Sequence, residues 1–503
     1  MEVLSSLALI AVLVVATSLV LKFLQFESHT HLPPGPPGVP FVGNAFEISK
    51  ETPWLKFTEW SDLYGEILFA RVFSRKLVVI NSFELATQMF ENAKYSDRPR
   101  RRMAELSGYD KTLLFMNYGE GVRHSRRLIH TGLGGRHLHL YHASHVKEAR
   151  MFAKSLLDDP SGFIEHIRRM LTASLLRFTY GHEVEDDNDT LAALARGVVR
   201  VAGDLISPNR HVVDIFPLLN MLPDGWPGTD FKRVSKQNRD ALSRFTEDAF
   251  AQVYEQRRDG IAKPSFVFNH LENKTNDLER LKWTSGMIGG AGLETTASVL
   301  SSFFLLMIRH PDVQKRAQRE IDTVLAGHSL PTFSDQESLP FLECLIKEIF
   351  RWHPPSPLIS RTTREDDVVN NYTIPSGSYI MANIWAFTHD PSLYPEPFEF
   401  NPDRFLPTHG TNPVSPPDPR LYTFGFGRRG CPGIHLANNI VFIVIATTLA
   451  VFEILPEMDE KGQPKIPGVE YTETLISNPL PFGCRIIPRS QEATDLIAYA
   501  VGT

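Results

Sequence analysis

Apolar residues are spread along the chain in three ways, and each predicts a different kind of element. From Val3 to Leu21 no charge interrupts the apolar run, which nearly fills the roughly 20 residues that cross a bilayer. Residues 1–26 therefore read as a single transmembrane anchor. A cleaved signal peptide is the alternative, but no Lys or Arg precedes the run and no small-x-small cleavage site stands out. From Glu66 to Ile80 two β-prone runs flank a polar turn, which predicts a hairpin, and Ser378–Ile384 reads as a strand much further along. Elsewhere helical spacing dominates. The stretch Trp283–Ile308, whose only charge is Glu294, predicts a helix buried on nearly all faces. It is not a second span, because a carboxylate and three glycines sit at its centre. The expected fold class is mainly α with a minor, split β component.

Leu32-Pro-Pro-Gly-Pro-Pro-Gly-Val-Pro40 forbids helix and predicts a stiff extended spacer. It gives residues 27–44 the character of a proline-rich hinge. No low-complexity linker follows, so residues 45–503 are expected to form one large domain, although 503 residues could fill two or three.

Composition narrows the function. A net charge of −6 without a basic run gives nucleic acid no electrostatic footprint. Three scattered cysteines, Cys344, Cys431 and Cys484, form no Cys-x-x-Cys pair, which speaks against a disulfide framework or a cysteine-rich zinc site. A reducing compartment follows, and Glu2 before the anchor with Lys22 after it points to a cytoplasmic body. The Asn188, Asn273 and Asn371 sequons are idle on that side.

Three stretches could carry chemistry. Cys431 lies among Gly425, Gly427, Gly430 and Gly433, directly before the apolar run Ile434–Phe452. Glycines let a backbone approach a bulky planar ligand, and a helix start favours thiolate over thiol. A buried structural thiol is the blander alternative. In Gly289-Gly-Ala-Gly-Leu-Glu-Thr-Thr296, Glu294 beside Thr295 could relay protons, since burial raises a carboxyl pKa; a bent helix around a cavity, with Thr295 bonding back to a carbonyl, reads equally well. The three glycines suggest that something needs the space beside the backbone. Glu348 and Arg351 are an i, i+3 pair, which alone carries no functional meaning.

Taken in order, these residues resemble the cytochrome P450 family. Phe424-x-x-Gly427-x-Arg429-x-Cys431-x-Gly433 is similar to its haem-binding loop, and Ala291-Gly-x-Glu294-Thr295-Thr296 to its oxygen-activating helix. Glu348-x-x-Arg351 and Pro402-Asp-Arg404-Phe405 match its two arginine-bearing motifs. The anchor and hinge are similar to those of microsomal members, and the cysteine loop to fungal secondary-metabolism members. The resemblance covers essentially the whole chain. It implies haem b with Cys431 as axial thiolate, Phe424, Gly427 and Gly433 shaping the loop, and Arg126, Arg361 and Arg429 meeting the propionates. Glu294 and Thr295 would steer protons, while Glu348, Arg351 and Arg404 would form a structural salt-bridge core. One departure stands out: Val122 occupies the place where relatives usually carry Trp in a Trp-x-x-x-Arg pattern ending at Arg126.

The implied activity is monooxygenation of a hydrophobic small molecule, with a slight lean to terpenoids. Electrons would come from NADPH through a flavoprotein reductase, with cytochrome b5 as an optional second donor. The body would sit on the cytoplasmic face of the endoplasmic reticulum membrane as a single-pass protein. Segments Met103–Leu114, Met287–Ala291, Pro357–Ile359 and Thr474–Ile476 would line the pocket. The competing readings are a reductase-independent haem-thiolate isomerase or dehydratase, and a non-enzymatic membrane haem carrier or sensor.

Overall fold

The computed structural model describes residues 31–49, 51–134, 139–186, 188–207, 210–407 and 416–502. The expected anchor, and residues 27–30 of the expected hinge, lie outside them. Helices of nine residues or more are numbered α1 to α12. The body begins with α1 (Pro53–Tyr64), β1 (Ile67–Val72), β2 (Arg75–Ile80) and α2 (Phe83–Glu91). The helical bulk follows as α3 (Glu120–Leu133), α4 (His142–Asp158), α5 (Phe163–Tyr180), α6 (Thr190–Ile206), α7 (Asp230–Arg258), α8 (Leu278–Arg309), α9 (Pro311–Leu325) and α10 (Pro340–Trp352). Then come β3 (Leu358–Thr362), β4 (Asp367–Val369), β5 (Tyr372–Ile374), β6 (Tyr379–Asn383), α11 (Ile434–Val451), β7 (Phe452–Met458), β8 (Pro464–Lys465), β9 (Cys484–Pro488) and α12 (Gln491–Gly502).

The predicted hairpin is β1–β2, paired from Ile67 with Ile80 to Val72 with Arg75. The predicted late strand is β6, which runs parallel to β2 and antiparallel to β3, giving the sheet order β1-β2-β6-β3. Parallel pairing of β2 with a strand so distant in sequence needs the helical bulk as its crossover.

The proline-rich segment is stitched to the free edge of β1 instead of standing clear of the body. Pro34 accepts from the Phe69 N–H at 2.8 Å, and Val42 from that of Phe73 at 3.0 Å. The Asn44 side chain accepts from the Arg71 N–H at 3.0 Å. Prolines cannot extend a helix, but their carbonyls remain free to accept.

Helix α8 is the axis of the body. The Asp277 side chain caps its start through the Arg280 N–H at 2.9 Å, and Pro311 follows its end. It packs on α5 most extensively, and also on α3, α6, α7 and α11. Both α8 and α11 are long and apolar enough to cross a membrane by composition, yet most of each is buried inside the body. Burying a large apolar side chain stabilises by about 1.5–3 kcal/mol, so these two helices form the centre of the core.

Candidate active site

The cysteine loop passes so close to α2 that its sequence is constrained. Gly427 adopts φ +47°, and a Cβ there would meet the Phe90 carbonyl oxygen at 2.8 Å, so only glycine fits both demands. The Cys431 N–H donates to the Phe424 carbonyl at 2.7 Å and closes the loop, while the Phe424 ring lies 5.4 Å from that of Phe350 on α10. Gly433 precedes the first turn of α11. Burial pushes the Cys431 thiol up, while the Gly433 N–H and the Arg126 guanidinium pull it down. The residue is nevertheless open to solvent. Both statements hold for a thiol deep in the protein that looks into an internal cavity.

A second open surface lies on α8, which packs against α11. Along the middle of this mostly buried helix Met287, Gly292, Glu294 and Thr295 are half-buried and Ala291 is exposed; Met287, Ala291 and Thr295 share one face. Spaced at i, i+4 and i+8, they form one strip. Thr295 Oγ1 donates back to the Ala291 carbonyl at 3.5 Å, at the long limit of a hydrogen bond, so this hydroxyl is readily released to another partner.

One expectation for α8 is corrected. Glu294 is not a buried carboxylate: its side chain is 26% exposed and lies 4.0 Å from Nε of Arg168 on α5. It occupies the flank of the helix turned toward solvent, beside the open strip rather than inside the core. The space expected beside the mid-helix glycines is taken at Gly289 and Gly290 by neighbouring helices. A Cβ at Gly290 would meet Val199 of α6 at 2.6 Å, at Gly289 Tyr180 of α5 at 3.1 Å, and at Gly292 Leu175 of α5 at 3.4 Å.

Beside the cysteine loop the fold gathers four arginines. Arg126 of α3 donates to the Gly430 carbonyl at 2.8 Å. Arg429 donates to the carbonyls of Ser96 at 2.7 Å, Leu113 at 3.2 Å and Met116 at 2.5 Å, which binds the loop to the segment before α3. Arg361 of β3 is fully buried, with its guanidinium 5.4 Å from the Phe90 ring. Arg98, which the sequence reading did not single out, donates to the Ser360 carbonyl at 3.2 Å and leaves its buried Nε without a partner. Burial and the other arginines lower Arg98 to about 9 and Arg361 well below its usual value. Burial and Arg126 bring Arg429 to about 10, although Asp97 opposes the shift. Asp97 is engaged by Arg364 and by the Tyr118 N–H at 2.7 Å. Among the described residues none of the four arginines forms an ion pair with a carboxylate. A cluster of one sign with two members buried, Arg361 and Arg429, and two half-buried, Arg98 and Arg126, needs an external anion. A dianionic planar metal-bearing group, which the Cys431 thiolate would hold, fits this site on both counts, charge and open space. Arg98 was missed because nothing in Arg98-Pro-Arg-Arg-Arg102 sets one arginine apart until folding shows which of them lacks a carboxylate.

Val122, where relatives usually carry Trp, is 0% exposed in the main core. Farther from the cavity, Glu348 accepts from Arg351 Nε at 2.7 Å and Nη2 at 2.8 Å, and from Arg404 at 3.1 Å. Arg351 also donates to the carbonyls of Thr388 at 3.0 Å and Pro397 at 2.7 Å. The pocket-lining segments are placed as follows: Met103 is buried, Pro357–Ile359 leads into β3, and Ile476 approaches α6 at 3.6 Å from where a Gly203 Cβ would stand.

The family model for cytochrome P450 matches residues 33–482. The chain belongs to the cytochrome P450 family. Similar curated proteins include a cytochrome P450 monooxygenase, claR, of Ampulloclitocybe clavipes, 37% identical over 93% of this chain and 88% of that protein. Cytochrome P450 monooxygenase 208 of Postia placenta is 36% identical over 97% and 96%. Tryptamine 4-monooxygenase of Psilocybe cyanescens is 34% identical over 92% and 94%. This P450 is therefore an oxidoreductase of the monooxygenase class, with the family's thiolate-ligated haem and the family's typical supply of NADPH electrons through a reductase. A non-enzymatic carrier does not agree with relatives that are named monooxygenases.

Proposed function

We propose that this P450 oxidises a neutral, hydrophobic small molecule of fungal secondary metabolism, with Cys431 as the thiolate that would hold the haem iron. The observation that carries the reading is the pairing of an open, interior thiol at the head of α11 with the open Met287–Ala291–Thr295 strip on α8, flanked by an arginine cluster without a carboxylate partner among the described residues. Arg98, Arg126 and Arg361 would receive the propionates, and Arg429 would anchor the loop. When bound, the haem supplies activation of dioxygen, which the electron-rich thiolate favours. Thr295 would hold a proton at Oγ1 on the strip, and Glu294, partly exposed next to Arg168, would resupply it. Leu114, Met287, Ala291, Ile359 and Ile476 offer no charge to a substrate, which supports an apolar one; a terpenoid satisfies that demand.

Membrane association has its own support. Phe41 and Phe46 on the strapped segment and Phe216, Leu218, Met221 and Trp226 after α6 are all exposed, Phe46 by 83% and Met221 by 81%. Phe73, whose N–H donates to Val42 of the strapped segment, lies with its ring 5.5 Å from that of Phe216 and so links the two groups. A face of this kind suits a lipid surface and a body held at the cytoplasmic side of the endoplasmic reticulum. The decisive experiment compares metabolites of a host carrying this chain and a P450 reductase with those of a host carrying the reductase alone. A new oxygenated product that disappears with Cys431→Ser is expected. Turnover that proceeds without reductase or NADPH would instead assign the isomerase or dehydratase class.

A further inference from the structure

Ser477 is fully buried, and each of its polar atoms reaches a different part of the chain. Its N–H donates to the Pro355 carbonyl, just beyond α10, at 2.9 Å. Its carbonyl accepts from Ser298 Oγ on α8. Its hydroxyl donates to the Thr472 carbonyl at 2.9 Å, so the 2.8 Å contact with His353 must be a bond donated by His353 Nε2–H. His353 is itself buried, and burial with the nearby His389 keeps it neutral, consistent with that tautomer. Tyr471 stacks on His353 with ring centroids 3.4 Å apart and donates to Ser302 of α8 at 3.1 Å.

These ties clamp the base of a short β-turn arm whose sides meet at Tyr471 and Pro479. Its tip, Thr474–Ile476, is half-buried and closed by a 2.6 Å bond from Thr474 Oγ1 to the Ile476 carbonyl. Ile476 reaches α6 near Gly203. Ser298 lies one helical turn beyond Thr295, so the clamp fixes the arm to the very helix that carries the open strip. A buried, fully satisfied polar knot specifies one geometry, where apolar packing alone would permit several.

We infer that His353 and Ser477 are positioning residues that set how far the apolar tip stands from the open strip of α8, and so determine the size and pose of the molecule admitted there. Neither touches reacting atoms. The inference rests on the proposed haem-thiolate site and is tested through it. The full, haem-loaded chain is titrated with imidazole and with 1-(triphenylmethyl)imidazole, following the spectral shift that accompanies nitrogen ligation. Imidazole is too small to feel the tip, while the trityl group must pass it. Ser477→Ala and His353→Phe are expected to leave the imidazole Kd within about twofold and to change the trityl compound's Kd by about tenfold or more. Ile476→Ala should change it comparably, and adding Ser477→Ala to Ile476→Ala should have no further effect, since both act through one tip. Equal shifts for both ligands, no shift for either, additive effects in the double variant, or loss of haem from both Ser477→Ala and His353→Phe each overturn the inference. Failure of the unmodified chain to give any azole spectrum would overturn the haem-thiolate reading instead.

Discussion

Replacing Glu348 by Gln keeps the shape of the side chain and removes its charge. In the structure that carboxylate accepts two bonds from Arg351, at 2.7 and 2.8 Å, one from Arg404 at 3.1 Å and one from the Asn401 N–H at 2.8 Å. Glu348 and Arg351 are both 0% exposed, so water cannot take over. The glutamine amide would also turn its own N–H groups toward two guanidinium groups. Breaking a buried pair in this way costs about 3–5 kcal/mol, against a typical total stability of about 5–15 kcal/mol. Arg404→Lys keeps the charge and loses the guanidinium bonds to the carbonyls of Pro395 at 2.8 Å and Glu399 at 2.9 Å, so about 1–2 kcal/mol is expected. The assay is the decay at fixed temperature of the thiolate-type absorption of the reduced, carbon-monoxide-treated protein, because a rate remains meaningful where unfolding is irreversible. Even if only a third of the lost energy enters the unfolding barrier, Glu348→Gln should decay about tenfold faster than the parent. Turnover per haem should stay within about twofold, the pair being outside the reacting site. A long-lived Glu348→Gln protein that has lost turnover would refute the structural assignment.

Other outcomes follow from single contacts. Gly427→Ala meets the Phe90 carbonyl at 2.8 Å in a left-handed conformation, so a loss of at least about 1–2 kcal/mol and faster haem release are expected in the same decay assay. Thr295→Ala should release more hydrogen peroxide per NADPH consumed with little change in haem content, and unchanged coupling would remove the proton role. Val122→Trp would overpack a fully buried core position by about 1–3 kcal/mol, so it should hold less haem than the parent; a gain in haem retention would show that the position can open toward the cofactor. Burial, reinforced by Arg351, lowers His389 to about 3, while the unfolded chain titrates near 6.5. Its contribution is thus fully present above pH ~6.5 and is lost toward pH ~3 by up to ~1.4 kcal/mol per pH unit, and His389→Phe should flatten acid unfolding across that window.

What the sequence revealed was whatever one segment can encode by itself. Hydrophobic period marked β1–β2, β6 and α8, because burial of a strand face or a whole helix leaves its pattern in consecutive residues. The cysteine loop was legible because its glycines answer local demands such as the positive φ of Gly427. The environment of Glu294 was not, since its exposure depends on which flank of α8 meets α5 and on where Arg168 falls. Nor was Arg98, whose interest lies in the carboxylate that it lacks. The mid-helix glycines were noticed for the right reason, space beside a backbone, but only the packing of α5 and α6 shows what fills it. Ser477 gave no signal at all: a single serine becomes a junction only when Pro355, His353, Thr472 and Ser298 are brought around it.

The stitching of residues 34–44 along β1 has a practical consequence for shortened chains. β1 is the outer strand of its sheet, and its outward N–H groups at Phe69 and Arg71, with that of Phe73 just beyond it, are occupied by Pro34, Asn44 and Val42. A chain trimmed ahead of Leu32 keeps that hem. One trimmed beyond Asn44 uncovers an unpaired strand edge, the usual template for intermolecular β-pairing, and should precipitate on expression.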